Sequence, residues 1–258
     1  MTRANPDSSA RRIPSGITQV YVACAALLGR IPSDCGLCGG RARGGSLCMP
    51  CQTSVIHSMQ HGGPRCTRCS LALSGLAACP DCSRRPPAFE RVIAAFDYAY
   101  PGDVLIHHLK VGRRYISAGM LAGLLTAAVR NAAAPLAADT LLVPVPSSRA
   151  ALMQRGYNPA AEVARALARR LQMEYRPGLV TRRREGARQA SLSRADRLRS
   201  IQDLYQCWQP LHGASVAVVD DVLTTGSTLH GMAVALKEAG AATVTGLVLA
   251  RTPYAAHQ

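Results

Sequence analysis

From residue 88 onward, short apolar runs alternate with longer amphipathic stretches. Val216, Ala217, Val218 and Val219 form a run too short for a helix and rich in β-branched residues, which predicts a buried strand of a parallel sheet. Thr140–Pro146 (TLLVPVP) and Ala242–Ala250 repeat that signature. Ala88–Tyr100 reads as an edge strand, with shorter strands near Leu179 and Leu204–Cys207. Helical spacing predicts helices over Asp103–Lys110, Tyr115–Ala133, Ala160–Leu171 and Leu229–Glu238, the last closed by Gly240. Strand and helix in alternation predict an α/β domain: a parallel sheet with flanking helices, and a site at the strand C-termini. Nearer the start, Ile17–Leu28 reads as an amphipathic helix after a polar tail, Met1–Ser15.

Directly after Val219 the pattern turns into chemistry. Asp220 and Asp221 stand at the end of the strand, where carboxylates accept hydrogen bonds from paired hydroxyls such as those of a ribose. Thr224, Thr225, Gly226, Ser227 and Thr228 then form a small hydroxyl-rich loop, in which Gly226 permits close approach of the backbone to a ligand. A helix N-terminus comes next, with amide groups free to face an anion. Two acids for sugar hydroxyls beside a phosphate cradle describe a ribose-5-phosphate site. The string is neither a Walker A loop nor a dinucleotide-binding glycine motif.

The N-terminal third obeys a different logic, set by cysteine. Four Cys-x-x-Cys pairs, Cys35/Cys38, Cys48/Cys51, Cys66/Cys69 and Cys79/Cys82, fall into two halves with nine residues between pairs in each. Two such turns present four thiolates and complete a tetrahedral shell, so the spacing predicts two structural zinc ions in a reducing, cytoplasmic compartment. Adjacent pairs can share an ion, or the first pair can join the third and the second the fourth. His57 and His61 are expected to face solvent, because the sulfur set is complete without them, and Cys24 and Cys207 to be buried thiols. The organisation expected is a tail and short helix over 1–34, a double zinc ribbon over 35–84 and the α/β domain over 85–258.

Charge points to a further partner. The 258 residues carry a net charge of +15, and all the basic residues except Lys110 and Lys237 are arginines. Abundant Ala and Arg partly reflect coding composition, but guanidinium groups suit phosphates. The most basic stretch, Thr181–Ser200, has the length of a lid between two strands. No run is long enough to span a membrane.

Val216–Thr228 (VAVVDDVLTTGST) resembles the phosphoribosyl-diphosphate (PRPP) motif of the type I phosphoribosyltransferases. That resemblance implies that Ser147, Ser148 and Arg149, after the Thr140–Pro146 strand, hold the pyrophosphate. It implies that Asp220 and Asp221 hold the ribose, that Thr224, Thr225, Gly226, Ser227 and Thr228 hold the 5-phosphate, and that Mg²⁺ accompanies PRPP. Catalysis would then rest on Arg149, Asp220 and Asp221. Thr224 occupies the place where purine transferases carry an acid, and the basic loop lacks the lysine of the orotate enzymes. With the cysteine pairs, LIHHLK, VPVP, RGYN and RQASLS, the whole from residue 35 to 252 is similar to the ComF family. Tyr157 and Pro159 stand where members often have Phe and Gln. The family implies a double zinc ribbon on a type I phosphoribosyltransferase fold and a role in natural transformation, handling single-stranded DNA with a competence helicase. An active transferase of nucleotide salvage without a DNA role is the alternative.

Overall fold

A computed structural model describes residues 30–61, 63–111, 115–183 and 204–254. The expected helix Ile17–Leu28 and the tail before it, Cys24, residues 112–114 and most of Thr181–Ser200 lie outside them. The elements in chain order are β1 (Pro32–Asp34), β2 (Arg41–Arg43), α1 (Met49–His61), α2 (Pro80–Arg84), β3 (Arg91–Asp97), α3 (Gly102–Val111), α4 (Tyr115–Arg130) and β4 (Leu141–Pro144). They continue with α5 (Arg149–Arg155), α6 (Pro159–Leu171), β5 (Glu174–Tyr175), β6 (Val180–Arg182), β7 (Tyr205–Cys207), β8 (Ser215–Leu223), α7 (Ser227–Glu238) and β9 (Thr243–Arg251).

Five strands form a sheet in the order β3-β9-β8-β4-β5, and every neighbouring pair is parallel. The alternation of β8 side chains builds two cores. Ala217 and Val219 face α3, α4 and α6, while Val216 and Val218 face α7 and the β6–β7 hairpin. Ala88–Tyr100 holds the edge strand expected of it. The strands near Leu179 and Leu204 pair antiparallel with each other, outside the main sheet.

Chain direction fixes where a ligand can enter. After β4 the chain crosses to β5 on one side; after β8 it crosses to β9 on the other. The connections diverge, and a crevice opens between the C-terminal ends of β4 and β8. That switch point is the usual ligand position in open α/β sheets. β4 pairs with β8 only as far as Pro144 opposite Val219, with one further bond from Val145 N–H to Val219 C=O at 2.9 Å. Beyond it, β8 continues against β9 alone to Leu223. Asp220 and Asp221 therefore lie inside the strand rather than after it, on the side that β4 has left.

The segment from Pro144 to Asn158 contains the short helix α5. Ser148 caps its start, accepting the Ala151 N–H at 3.2 Å, and Gly156 ends it at φ +79°. Pro159 occupies the first turn of α6.

The cysteine-rich segment does not stand apart. Leu47 and Val55 join the core on the α4 face, and Leu71 joins the core on the α7 face, so the segment straddles the β3 edge. Arg65 fixes it there with a fork to the Asp97 carboxylate at 2.9 and 2.6 Å, while also donating to the carbonyls of Ser58, Met59 and Ser70. Ser58 Oγ accepts the Asp97 N–H at 2.9 Å, and Ser70 Oγ donates to Val92 C=O at 2.7 Å.

Gly246 of β9 seats α7 on the sheet. A Cβ there would lie 2.4 Å from Leu229 Cδ2 and 3.0 Å from Val92 Cγ2. Gly246→Ala is expected to cost about 1–3 kcal/mol, read as a lower midpoint in denaturant unfolding with unchanged slope.

Candidate functional site

The eight cysteines of the four pairs come together in sequence order. Cys35, Cys38, Cys48 and Cys51 form one cluster, and Cys66, Cys69, Cys79 and Cys82 the other, with all sulfurs of a cluster within 4.8 Å of one another. The crossed pairing is thereby ruled out. Closest Sγ separations of 3.5–3.8 Å are far from a disulfide bond. Four sulfurs about 2.3 Å from a central zinc would sit about 3.8 Å apart, so the donor set fits that ion.

The duplication extends to the backbone. Cys35 N–H donates to Gly40 C=O at 2.7 Å and Gly39 N–H to Cys35 C=O at 3.0 Å; Cys66 N–H donates to Leu71 C=O and Ser70 N–H to Cys66 C=O, both at 2.9 Å. Gly39 and Ser70 take matching positive φ of +70° and +58°. Each second pair then opens a helix, α1 after Cys48 and α2 after Cys79. In both clusters the thiols are driven apart in acidity. Burial opposes the Cys35 thiolate, but the amides of Cys38, Cys48 and Leu37 outweigh it and bring its pKa down to about 6. Hydrogen bonding to Cys48, then burial, pushes Cys51 up to about 12. Four crowded sulfurs cannot all ionise without a cation between them. His57 and His61 are exposed, edge to face with each other, as expected. Cys207 is half-buried rather than buried; its thiol donates to Gln209 C=O at 3.3 Å at the rim of the hairpin.

The second site is the crevice at the switch point. Strand alternation sends Asp220 and Asp221 to opposite faces. Asp221 meets Lys110 at the end of α3, with Nζ to Oδ2 at 3.2 Å. Asp220 turns towards Tyr205 on β7, whose hydroxyl also feels Arg182 and Thr228. Asp220 Oδ1 also accepts the Asp221 N–H at 2.9 Å. Burial, then the neighbouring Asp221 carboxylate, raises the Asp220 pKa to about 7. Lys110 and the Asp221 amide only partly offset them.

A carboxyl whose pKa is raised in the folded protein favours folding when protonated. Its destabilising effect is absent near pH 4, grows as pH rises and is complete above about pH 7. Asp220→Asn should therefore stabilise the ligand-free protein at pH 8, on the order of 2 kcal/mol, and make no difference near pH 4. Denaturant unfolding at both pH values checks this.

Past the end of β8, Gly226 adopts φ +78° and stands at the N-cap of α7. Thr225 Oγ1 and Ser227 Oγ lie 2.9 Å apart, and Thr224, Thr225 and Thr228 are exposed. The helix begins at Ser227, earlier than the expected Leu229. Across the crevice, Ser147 precedes the Ser148 cap and Arg149 is exposed at the first position of α5. The fold thus places Ser147, Ser148 and Arg149 on the β4 side and Asp220 to Thr228 on the β8 side.

The structure also gives two of the sequence motifs a physical role. Tyr157 donates its hydroxyl to Leu109 C=O, fastening the helix that carries Lys110. Asn158 caps α6 through Oδ1 and donates Nδ2 to Val145 C=O at 2.9 Å, shaping the chain after β4. The exchange of Phe for Tyr157 therefore adds a bond. Sequence reasoning missed Lys110 and Tyr205 as site residues. The LIHHLK motif, one of two places with a lysine, was a signal for the first; Tyr205 gave none.

No family model matches the chain. Comparison with known proteins finds DNA utilization protein YhgH of Escherichia coli O157:H7, 34% identical over 190 residues, which span 72% of this chain and 84% of that protein. The same protein from E. coli strain K12 is 35% identical over 190 residues, with the same coverage. Competence protein F of Haemophilus influenzae is 29% identical over 211 residues, 80% of this chain and 90% of that protein. The chain belongs to the ComF family. In this chain two cysteine clusters precede the five-stranded parallel sheet. Among the described residues, no helix of this ComF-family protein is long and apolar enough to cross a membrane.

Proposed function

We propose that this protein binds PRPP, or a closely related ribose-5-phosphate ligand, in the crevice between β4 and β8, and that it serves the use of incoming DNA. One observation carries the ligand reading. Two consecutive carboxylates near the end of one strand, one towards each face, and a hydroxyl-rich helix start just after it stand at the switch point where α/β sheets take ligands. Asp220 and Asp221 would face ribose hydroxyls, Thr224–Thr228 the 5-phosphate, and Ser147, Ser148 and Arg149 the pyrophosphate. Mg²⁺ supplied with PRPP would offset the negative charge of the pyrophosphate. Each cysteine cluster would hold one structural zinc ion.

Titration of the zinc-loaded protein with PRPP and Mg²⁺, read by heat resistance, tests the reading; no shift at millimolar ligand would overturn it. Pyrophosphate release in the presence of candidate bases then tells a transferase from a binding protein.

The DNA role comes from the relatives' names, DNA utilization protein and competence protein, and from the charge of +15. A stacking platform is available too. The single tryptophan, Trp208, is 61% exposed beside the hairpin that carries Arg182 and Arg183, its indole N–H anchored on Thr181 Oγ1 at 2.5 Å. Single-stranded DNA should bind without sequence preference, and log affinity should fall with log salt at about −0.7 per phosphate neutralised. Replacing Arg182, Arg183 and Arg184 together should flatten that slope. An unchanged slope would put the DNA elsewhere, and a competition titration with PRPP shows whether the two anions share the loop.

A further inference from the structure

The last residue of β9 is a charge buried where charges are rarely buried. Arg251 is only 2% exposed. A guanidinium keeps its proton in any protein environment, so its N–H groups must find acceptors. They find them in two places at once. On one side, Nε donates to Cys69 C=O at 3.0 Å, and Nη2 donates to the Asp81 carboxylate at 2.6 Å and approaches Cys69 Sγ at 3.8 Å. On the other, Nη1 donates to the carbonyls of Leu223 at 3.2 Å, Thr224 at 2.6 Å and Thr252 at 2.9 Å. Cys69 belongs to the second cysteine cluster and Asp81 lies inside its second Cys-x-x-Cys turn. Leu223 and Thr224 are where the strand of the two acids becomes the hydroxyl-rich loop.

We propose that Arg251 couples the second cysteine cluster to that loop, so that metal held by Cys66, Cys69, Cys79 and Cys82 and phosphate held at Thr224–Thr228 strengthen each other's binding. The inference rests on the ribose-phosphate reading of the crevice. Arg251 acts as a positioning residue, because its partners are the loop's carbonyls and not the ligand.

Three features support the coupling. The two sites share a wall: a cavity of about 60 Å³ has Cys69, Asp81 and Cys82 on one side and Thr225, Gly226 and Ser227 on the other, with Arg251 between. The segment from Cys66 to Cys82 contains little regular structure beyond a five-residue helix, so its shape depends on what its four sulfurs grip. Release of the metal frees Cys69 and Asp81 to move, and the guanidinium, which cannot lose its charge, must then seek acceptors elsewhere. In the same event the Thr224 carbonyl loses its donor, and the Leu223 carbonyl keeps only the Thr252 N–H at 3.0 Å. The first cluster offers the contrast. It packs into the core on the α4 face of the sheet, and none of its described hydrogen bonds reaches the loop.

Coupling of this kind is reciprocal and is measured at equilibrium. The zinc affinity of each cluster in the full chain is read by competition with a chromogenic chelator, with and without saturating PRPP and Mg²⁺. PRPP should tighten one of the two zinc sites by about fivefold or more and leave the other unchanged. The Asp220→Ala, Asp221→Ala double variant, which keeps both clusters, should show no tightening and so controls for zinc taken by PRPP itself. Arg251→Met removes a buried anchor and can fail to fold, so the decisive variant is Asp81→Asn. It keeps every sulfur and the loop intact but takes away the charge that holds Arg251 to the cluster. It should retain two zinc ions and lose most of the PRPP effect. Equal zinc affinities in a parent that PRPP protects from heat would overturn the coupling alone. Equal tightening of both clusters would overturn it as well, showing general stabilisation. PRPP that fails to bind the parent would overturn the ribose-phosphate reading, and the coupling with it.

Discussion

A Cys69→Ser protein is expected to retain one zinc ion of the two and to lose most of its resistance to heat. The comparison of magnitudes decides this. A four-thiolate zinc site contributes about 10–16 kcal/mol of apparent binding energy, while a whole domain is stable by about 5–15 kcal/mol. Nothing else in the segment from Cys66 to Cys82 approaches that scale: Leu71 is its one fully buried large side chain. Breaking the cluster also disturbs a fully buried guanidinium, since Cys69 supplies Arg251 with a carbonyl and a sulfur contact. Cys38→Ser, at an exposed position of the first cluster, should remove one zinc ion too but lower the melting temperature less. Metal analysis with thermal unfolding of both variants measures this. Two zinc ions still bound after Cys69→Ser, or equal losses in the two variants, would contradict it.

The second large effect is expected at the acids. Replacing Asp220 and Asp221 together by Ala should abolish heat protection by PRPP, which for the parent amounts to about 2.7 kcal/mol when ligand exceeds its Kd a hundredfold. Without ligand the same protein should be more stable than the parent at pH 8. The raised pKa of Asp220 shows that its carboxylate is unwelcome there in the free state, and the substitution relieves it. Lys110 loses its partner but is partly exposed and re-solvates. The opposite signs are the useful feature. A misfolded variant would lose ligand protection and stability together, whereas a lost site loses the first alone. Thermal scans with and without PRPP at pH 8 separate the two.

Much of this was legible along the chain. The β8 run, the β4 run and the closing strand each announced themselves as apolar and β-branched, because strands buried on both faces must be. The cysteine spacing announced two metal-sized clusters, because a Cys-x-x-Cys turn has few other geometries. The end of β8 was less legible. Two aspartates look like the close of a strand, yet backbone pairing with β9 runs on to Leu223, since that side of the strand still has a partner. The role of Asn158 was invisible for a similar reason: its amide reaches Val145 across thirteen positions of sequence. Tyr205 and Arg251 lay beyond reach altogether. Each is an ordinary residue of an ordinary strand until the fold brings Thr228 to one and Asp81 to the other.

The way the cysteine segment wraps β3 bears on how the protein would fail. An outermost strand is an open template on which another chain can build. Here that border is dressed by Ser58 and Ser70, both hydrogen-bonded to the β3 backbone from a segment whose shape depends on its cysteine clusters. Stripped of metal, the segment would let go, and an apolar strand with Val92, Ile93 and Phe96 would lie bare at the rim of the sheet. Zinc scarcity would then produce a self-adhesive protein as well as an idle one, and the ions would serve as guards of solubility.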